Sequence, residues 1–486
     1  MVRDVYLVML ISLGYAGMMG TMSLVNRPYV NGAVSHWFGE IGLPLPSTPL
    51  PGSRDADVCV IGAGYTGLWT AYYLKKARPG LRVVVLEKEF AGFGASGRNG
   101  GWVVGELAGS APRYARTHGK DAVLRLQRAM FGSVSEIVRV AAEEGVEADL
   151  EHDGVVTVAR NRAQLRRLTE LVAHERAWGW GEDDLRLIEP GERVRVAGAV
   201  GASWSPHCAR VQPAKLVRGL ARVVRELGVE LYEGTEVTGL RPRGGGLPAA
   251  AVTPYGTVSA EYVVRATEGF TAAFPGAHRD WLPMNSSMIV TEPLPEDVLD
   301  GSWRGAELLG DMAHYYMYAQ RTADGRIAFG GRGKPYRYGS RIDDAGRTPE
   351  ATVTALRTLL ADMFPAAASV PVAHAWSGVL GVPRDWCSTA TVDHRTGLGH
   401  AGGYTGHGVA TSNLAGRTLR DLLLGEETDL TTLPWVNRPA RRWEPEPLRW
   451  LGVQLMYSLY RGADARERGV HRTSKLARLA DLLSGR

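Results

Sequence analysis

The stretch DADVCVIGAGYTGLWTAYYLKKARPGLRVVVLEKE, residues 55–89, decides the fold. An apolar run, Val58 to Ile61, leads into Gly62, Gly64 and Gly67 at G-x-G-x-x-G spacing. Gly62 permits the tight turn, Gly64 lets the backbone approach a pyrophosphate, and Gly67 lets helix and strand pack closely. A helix starting there points its first N–H groups at phosphates. A second apolar run, Arg82 to Leu86, ends at Glu87, twenty residues after Gly67. A carboxylate there accepts hydrogen bonds from ribose hydroxyls and repels a 2′-phosphate; Lys88 beside it counts among the candidate contacts. Strand, glycine turn, helix, second strand and acidic cap follow in order. The unit therefore reads as a dinucleotide site rather than a glycine turn of some other α/β unit.

The chain has 486 residues, too many for one small core, so two closely packed domains are expected. It is 45% hydrophobic and 22% charged, as in ordinary soluble enzymes, and its 60 glycines suit many close backbone approaches. A net charge of +5, spread along the chain, gives no basic stripe and argues against nucleic acid as partner. Cys59, Cys208 and Cys387 are too far apart for a disulfide framework or a cysteine zinc site, and a cytoplasmic, reducing compartment fits them best. Residues 5–25 carry no charge and are long enough to cross a bilayer. Membrane anchor or uncleaved signal, interface helix, and dispensable leader before a start near Met22 are the competing readings, the last being preferred.

Further along, residues 40–54 are rich in Pro, Gly and Ser and read as a linker, and AGFGASGRNGGW (91–102) is too glycine-rich for regular structure. Helices are expected over 121–144, 163–178, 213–227 and 348–364, and strands over 153–160, 228–245 and 257–266. Residues 282–335 alternate as an antiparallel sheet does. GHAGGYTGHGVATSNLAGRTLRDLLLG, 399–425, reads as strand, glycine turn and long helix. The fold class is thus mixed α/β. Segments 55–160, 205–280 and 371–425 make a discontinuous Rossmann-like nucleotide domain. Segments 161–204 and 281–370 make a substrate domain with a mostly antiparallel sheet. Residues 1–25 are the leader, 26–54 an N-terminal extension and linker, and 426–486 a tail, Pro/Trp-rich and then basic. The tail packs across the body or forms a dimer contact; an acidic or membrane partner is the minority reading. Oligomeric state is open.

Three stretches together carry a resemblance: IGAGYTGLWTAYYL with Glu87, GASGRNGG, and GGYTGHGVATSNLAGR. The chain resembles the D-amino-acid-oxidase superfamily of FAD-dependent amine oxidoreductases, in particular its gamma-glutamylputrescine oxidase-like branch. The resemblance covers about residues 25–425 and implies FAD. A second glycine turn some 340 residues after the first agrees, because a nicotinamide dinucleotide does not need it and a long flavin spans both. By this likeness Gly62, Ala63, Gly64, Tyr65, Thr66 and Gly67 hold the pyrophosphate and Glu87 the ribose. Ala95, Ser96, Gly97, Arg98, Asn99 and Gly100 run past the ribityl chain and the isoalloxazine. Val237 contacts adenine, and Thr267 ends the strand beside it. Gly403, Tyr404, Thr405, Gly406, His407, Gly408 and Val409 border the flavin pyrimidine, where a helix N-terminus stabilises negative charge.

The implied reaction is oxidation of a C–N bond in a small-molecule amine or amino acid, with hydride passing to flavin N5 and dioxygen as acceptor, giving hydrogen peroxide. The flavin carries the chemistry, so no metal is required. Arg98 is a flavin contact or a solvated side chain. Arg332 is a candidate for a substrate carboxylate or an internal ion pair, and Lys334 for a positive charge near the site. Tyr316, Tyr318 and Tyr336 build an aromatic wall or pack the sheet. Trp376, Arg384 and Trp386 approach the flavin edge. His407 tunes flavin charge or oxygen reactivity, or caps its turn. Non-covalent FAD is expected, with a bond to Cys387 as the alternative. A dehydrogenase feeding a quinone or protein acceptor, and a non-catalytic flavin-binding assembly protein, are the rival functions.

Overall fold

Five parallel strands form the centre of one sheet. In spatial order they are Glu230–Tyr232, Val83–Leu86, Arg54–Ile61, Gly256–Arg265 and Leu398–Gly402. The structure, a computed structural model, describes residues 28–331, 333, 335–470, 474, 476 and 477. The hydrophobic leader and the candidates Arg332 and Lys334 lie outside the described residues. Antiparallel strands complete this sheet: Ala249–Thr253 with Gly239–Arg241 on one side, and Thr389–Asp393 against Leu398–Gly402.

Near-continuous apolar runs suit strands covered on both faces. Val58 and Val60 join a core with the helices Tyr65–Ala77, Pro213–Glu226 and Gly408–Leu424, whereas Cys59 and Ile61 join Val84, Leu86 and Ala249 on the opposite face. The first and last of these helices touch closely: a Cβ at Gly416 would lie 2.6 Å from Cβ of Trp69. The chain's two glycine turns are thereby brought side by side.

Among the described residues the second sheet has nine strands and two parallel pairings. Two stretches assigned from sequence to the nucleotide domain belong here instead. Val155–Ala159 pairs with Gly201–Ser205 and Leu308–Asp311, and Val372–Pro383 pairs along its length with Trp281–Thr291. Their inward-facing Val156, Val158, Val372 and Ala375 share a core with Phe329, Leu356 and Leu360. A strand carries no sequence mark of the sheet it joins, and partner choice followed the tertiary core.

The expected helices appear as Arg162–Ala177, Pro213–Glu226 and Glu350–Met363. The one expected from residue 121 begins at Ala111 and carries a left-handed break at Gly119. Residues 28–54 are more than a linker. A short helix, His36–Ile41, is capped by Ser35 and buries Trp37 and Phe38. The tail also packs across the body: Trp443 donates to the Val382 carbonyl at 2.7 Å, and the helix Leu448–Val470 buries Val453, Met456 and Tyr457 against Leu282 and Tyr336. Among the described residues no helix is long and apolar enough to cross a membrane.

Candidate functional site

The carboxyl ends of the parallel strands open into a cavity of about 450 Å³. Open α/β sheets bind ligands at that edge. The walls run from Glu87 and Val237, past Gly62, Gly64, Ser96 and Thr267, to Tyr404, Gly406 and Val409. The three glycine-rich motifs thus meet in one space although about 300 residues separate the last from the other two.

The first turn is glycine for steric reasons. Gly62 has φ +101, and a Cβ there would lie 2.8 Å from the Ala266 carbonyl oxygen. A Cβ at Gly67 would lie 2.0 Å from the Gly62 oxygen. At Gly64 the obstacle is Ser96 Oγ, 2.9 Å away, the same oxygen that accepts the Tyr65 N–H at 2.8 Å. The Ala95–Gly97 loop is therefore clamped onto the start of the helix. Neither this helix start nor that of Gly408–Leu424 is capped by its own N-cap residue, Gly64 or His407, although Ser96 takes the Tyr65 N–H of the first. Two such helix starts adjoin one cavity, and each carries partial positive charge suited to an anionic group.

Glu87 accepts the Ala63 N–H at 2.8 Å and the Glu89 N–H at 3.0 Å. Burial pushes its carboxyl up to about 7, and those two hydrogen bonds oppose the rise. Lys88 lines the same mouth with its ammonium 3.0 Å from Glu236. Val237, Ala95, Asn99, Thr405 and Gly408 also line the cavity. Asn99 stiffens its loop by bonding the Ser96 carbonyl at 2.8 Å and the Gly101 N–H at 2.8 Å.

Other candidates act from behind the walls. Arg98 is buried; its guanidinium donates to the Phe93 and Asp344 carbonyls, both at 2.8 Å, and stacks 4.4 Å from the Phe93 ring. Burial lowers it to about 10, so it stays charged at neutral pH. Trp376 is fully buried and donates to the Arg98 carbonyl at 2.9 Å. Gly97 lies under Phe38, which would meet a Cβ there at 2.3 Å, and the Gly97 carbonyl accepts from Ser35 at 2.6 Å. Gly100 lies under Tyr318, whose hydroxyl pairs with Ser286 at 2.7 Å. Ala63, Gly67 and Gly403 also sit behind the wall, Gly403 packing on Pro383.

Further candidates lie apart from the cavity walls. Tyr336 contacts Glu446 and lies under Arg449, whose guanidinium carbon is 5.5 Å from its ring. Arg384 bonds Glu444 at 3.0 Å, and Trp386 is buried in the same tail cluster. Cys387 is a free, buried thiol that burial raises above its ordinary value; it does not line the cavity. His407 sits one residue from the cavity wall with Nε2 3.4 Å from a Glu106 carboxylate oxygen. The His407 imidazole holds the half-exposed Glu106 carboxyl below its ordinary value.

Two contributions escape a reading of the sequence. Ser35, Trp37 and Phe38 support the GASGRNGG loop, with Trp37 donating to the Asn99 carbonyl at 2.8 Å. Their signal is the HWF run after a serine cap, in the N-terminal extension just before the linker. Glu268 lines the cavity and bonds two backbone N–H groups from distant segments. Nothing in ATEGF marks it.

Twin glycine turns, two helix starts and an acidic cap around one cavity define a flavin-nucleotide oxidoreductase fold. The chain belongs to the DAO family of FAD dependent oxidoreductases, whose sequence model matches residues 57–422. Gamma-glutamylputrescine oxidoreductase of Escherichia coli (strain K12) is 30% identical over 437 residues, which is 87% of this chain and 97% of that protein. The probable oxidoreductase OrdL of Haemophilus influenzae is 27% identical over 430 residues, 86% of this chain and 94% of that one. Glycine oxidase from Geobacillus kaustophilus superposes with a TM-score of 0.65 at 21% identity, covering 79% of this chain and all of the other. That likeness shows the shared fold.

Proposed function

We propose that the protein oxidises a C–N bond of an amine or amino acid to the imine. The observation that supports this reading best is the pair of helix starts adjoining one cavity, in a chain similar along most of its length to gamma-glutamylputrescine oxidoreductase. FAD, when bound, supplies the two-electron acceptor. Backbone groups of Gly62 to Gly67 hold its pyrophosphate, Glu87 takes a ribose hydroxyl, and Val237 lies against the adenine. Ser96 and Asn99 flank the middle of the cofactor. The turn from Tyr404 to Val409 receives the negative charge that reduction brings, aided by the start of the helix behind it. The substrate's reacting carbon must be held over the flavin with its nitrogen unprotonated. The nine-stranded sheet supplies Val379 and Leu380 as apolar wall, which excludes water from that end. With FAD bound, dioxygen would serve as the final electron acceptor and leave as hydrogen peroxide.

Anaerobic mixing of the FAD-loaded protein with a panel of polyamine derivatives, N-methyl amino acids and simple amino acids tests the reading. Bleaching of the flavin absorbance by at least one amine, followed by peroxide on admitting air, is expected. A flavin that chemical reductants bleach and no amine does would leave the assembly-protein reading. Bleaching without peroxide would leave a dehydrogenase.

A further inference from the structure

Glu268 follows the end of the central strand Gly256–Arg265, beside the first glycine turn. Its backbone has φ 43, a left-handed conformation that costs a non-glycine residue roughly 1 kcal/mol. The side chain lines the cavity. One carboxylate oxygen accepts the Gly381 N–H at 2.5 Å and the other the Tyr404 N–H at 2.9 Å. Room is left for it: a Cβ at Gly381 would lie 2.5 Å from one oxygen, and a Cβ at Gly402 would lie 3.4 Å from the other. Glu268 thus ties the nucleotide sheet, the long strand of the second sheet and the final glycine turn at one point.

We propose that Glu268 takes up a proton when the cofactor is reduced and releases it on reoxidation. The proposal rests on the placement of FAD in this cavity given above. Two electrons leave the substrate as hydride and add negative charge against the turn that Glu268 braces. The substrate carbon keeps its bond to nitrogen and becomes an iminium, which gives its N–H proton to solvent to form the imine. Glu268 then passes from carboxylate to carboxylic acid with one proton from solvent, which offsets the added charge. When the acceptor removes the two electrons, the proton returns to solvent.

The surroundings favour such a switch. The carboxylate's hydrogen bonds come from backbone N–H groups, which stabilise charge less than a cation does. Charged groups on the neighbouring elements are engaged elsewhere. Arg265 faces Asp280 at 3.5 Å and lies 5.9 Å from the centre of the Trp281 ring, and His400 sits against the same ring. Burial keeps His400 neutral, down to about 4. Tyr404 directs its hydroxyl to Thr66. Burial pushes the Glu268 carboxyl up to about 7, so little extra negative charge is needed to protonate it near neutral pH.

The test is the pH dependence of the flavin midpoint potential between pH 7 and 9, followed by absorbance against reference dyes during photochemical reduction of the holoenzyme. One proton per two electrons gives a slope of about 30 mV per pH unit, and two protons about 60 mV. The wild type is expected to exceed the single-proton slope, and E268Q, still holding FAD, to fall to it. Equal slopes in the two proteins overturn the proposal. If E268Q fails to retain FAD, the wild type alone decides by its reduced-minus-oxidised infrared difference spectrum. A new protonated-carboxyl stretch supports the proposal and its absence overturns it. No amine enters either measurement, so failure of the amine panel would leave this result unaffected.

Discussion

Thr66 and Tyr404 lie 338 residues apart in sequence, and their hydroxyl oxygens are 3.0 Å apart. Both side chains are buried. Thr66 belongs to the first turn of the helix behind the pyrophosphate turn, and Tyr404 to the final glycine turn. The bond therefore holds the first and last glycine turns of the cavity in register. Y404F removes it and leaves the Thr66 hydroxyl without that partner. A loss of about 1 kcal/mol, or roughly a five- to tenfold weaker FAD Kd, is expected. Quenching of FAD fluorescence on titration into apoprotein measures it. T66S keeps the hydroxyl and should bind within about twofold of wild type.

The glycines of this chain differ sharply in the space left beside them. A Cβ at Gly67 would lie 2.0 Å from a backbone oxygen that cannot move without opening the turn. Gly132, in the helix Ala111–Glu143, has nothing within 4 Å of the same added atom and is exposed. G67A is expected to yield no folded, FAD-containing protein. G132A should raise stability by about 0.5–1 kcal/mol, because alanine loses less backbone freedom than glycine inside a helix. Thermal melts of both proteins, read with flavin absorbance, decide the pair.

Gly62, Gly64 and Gly67 were legible because the steric rule that requires them leaves a fixed spacing. Glu87 was legible because the strand before it is a plain apolar run ending on an acid. The final turn was legible for the same reasons, and its helix start at Gly408 followed. Glu268 was hidden because its partners are backbone groups of Gly381 and Tyr404, more than a hundred residues away. No side-chain pattern records a bond to distant backbone. Trp37 and Phe38 were hidden by the Pro- and Gly-rich residues that follow them, which read as linker. Arg98 was placed in the correct loop, and its guanidinium bonds backbone carbonyls of that loop and a distant segment. Residue type and loop position alone do not say which way a side chain turns.

Glu87 gives stability a definite pH dependence. Its folded-state pKa is raised from 4.5 to about 7, so the folded apoprotein binds a proton that the unfolded chain has already released over that interval. The stabilising contribution is complete below about 4.5 and is lost as pH rises through about 7. E87Q does not titrate. Its stability relative to wild type should improve on moving from pH 5 to pH 8, by on the order of 1–2 kcal/mol after allowing for water at the cavity mouth. FAD affinity should move the other way. The amide lacks the charge-assisted acceptor for ribose hydroxyls, and a loss of about tenfold or more in Kd is expected. Denaturant melts of apoprotein at both pH values check the first part, and FAD titration at pH 8 the second. Equal pH slopes in E87Q and wild type would show that Glu87 titrates normally.

The tail helix Leu448–Val470 is pinned by a buried charge cluster that lines no part of the cavity. Glu467, 1% exposed at its side chain, lies 2.7 Å from Arg167 and 3.1 Å from His314. Asp464 accepts the backbone N–H groups of His314 and Tyr315 at 2.9 and 2.8 Å. His314, Asp464 and Glu467 are close enough together to suggest a metal site. Arg167 supplies the countercharge, with Nη1 2.9 Å from His314 Nε2 and 2.7 Å from Glu467. Burial opposes ionisation of Glu467, but its bonds from His314, Ser474 and Arg167 hold the carboxyl down at about 2. Its contribution is present above about 4.5 and is lost as pH falls toward about 2. E467A strands Arg167 in a buried place, so a loss of about 3 kcal/mol is expected, larger at pH 7 than at pH 3. FAD affinity should be unchanged because none of these residues lines the cavity. EDTA should leave the melting temperature of the wild type where it is. A fall in melting temperature on chelation, restored by a divalent cation, would reassign the cluster as a metal site.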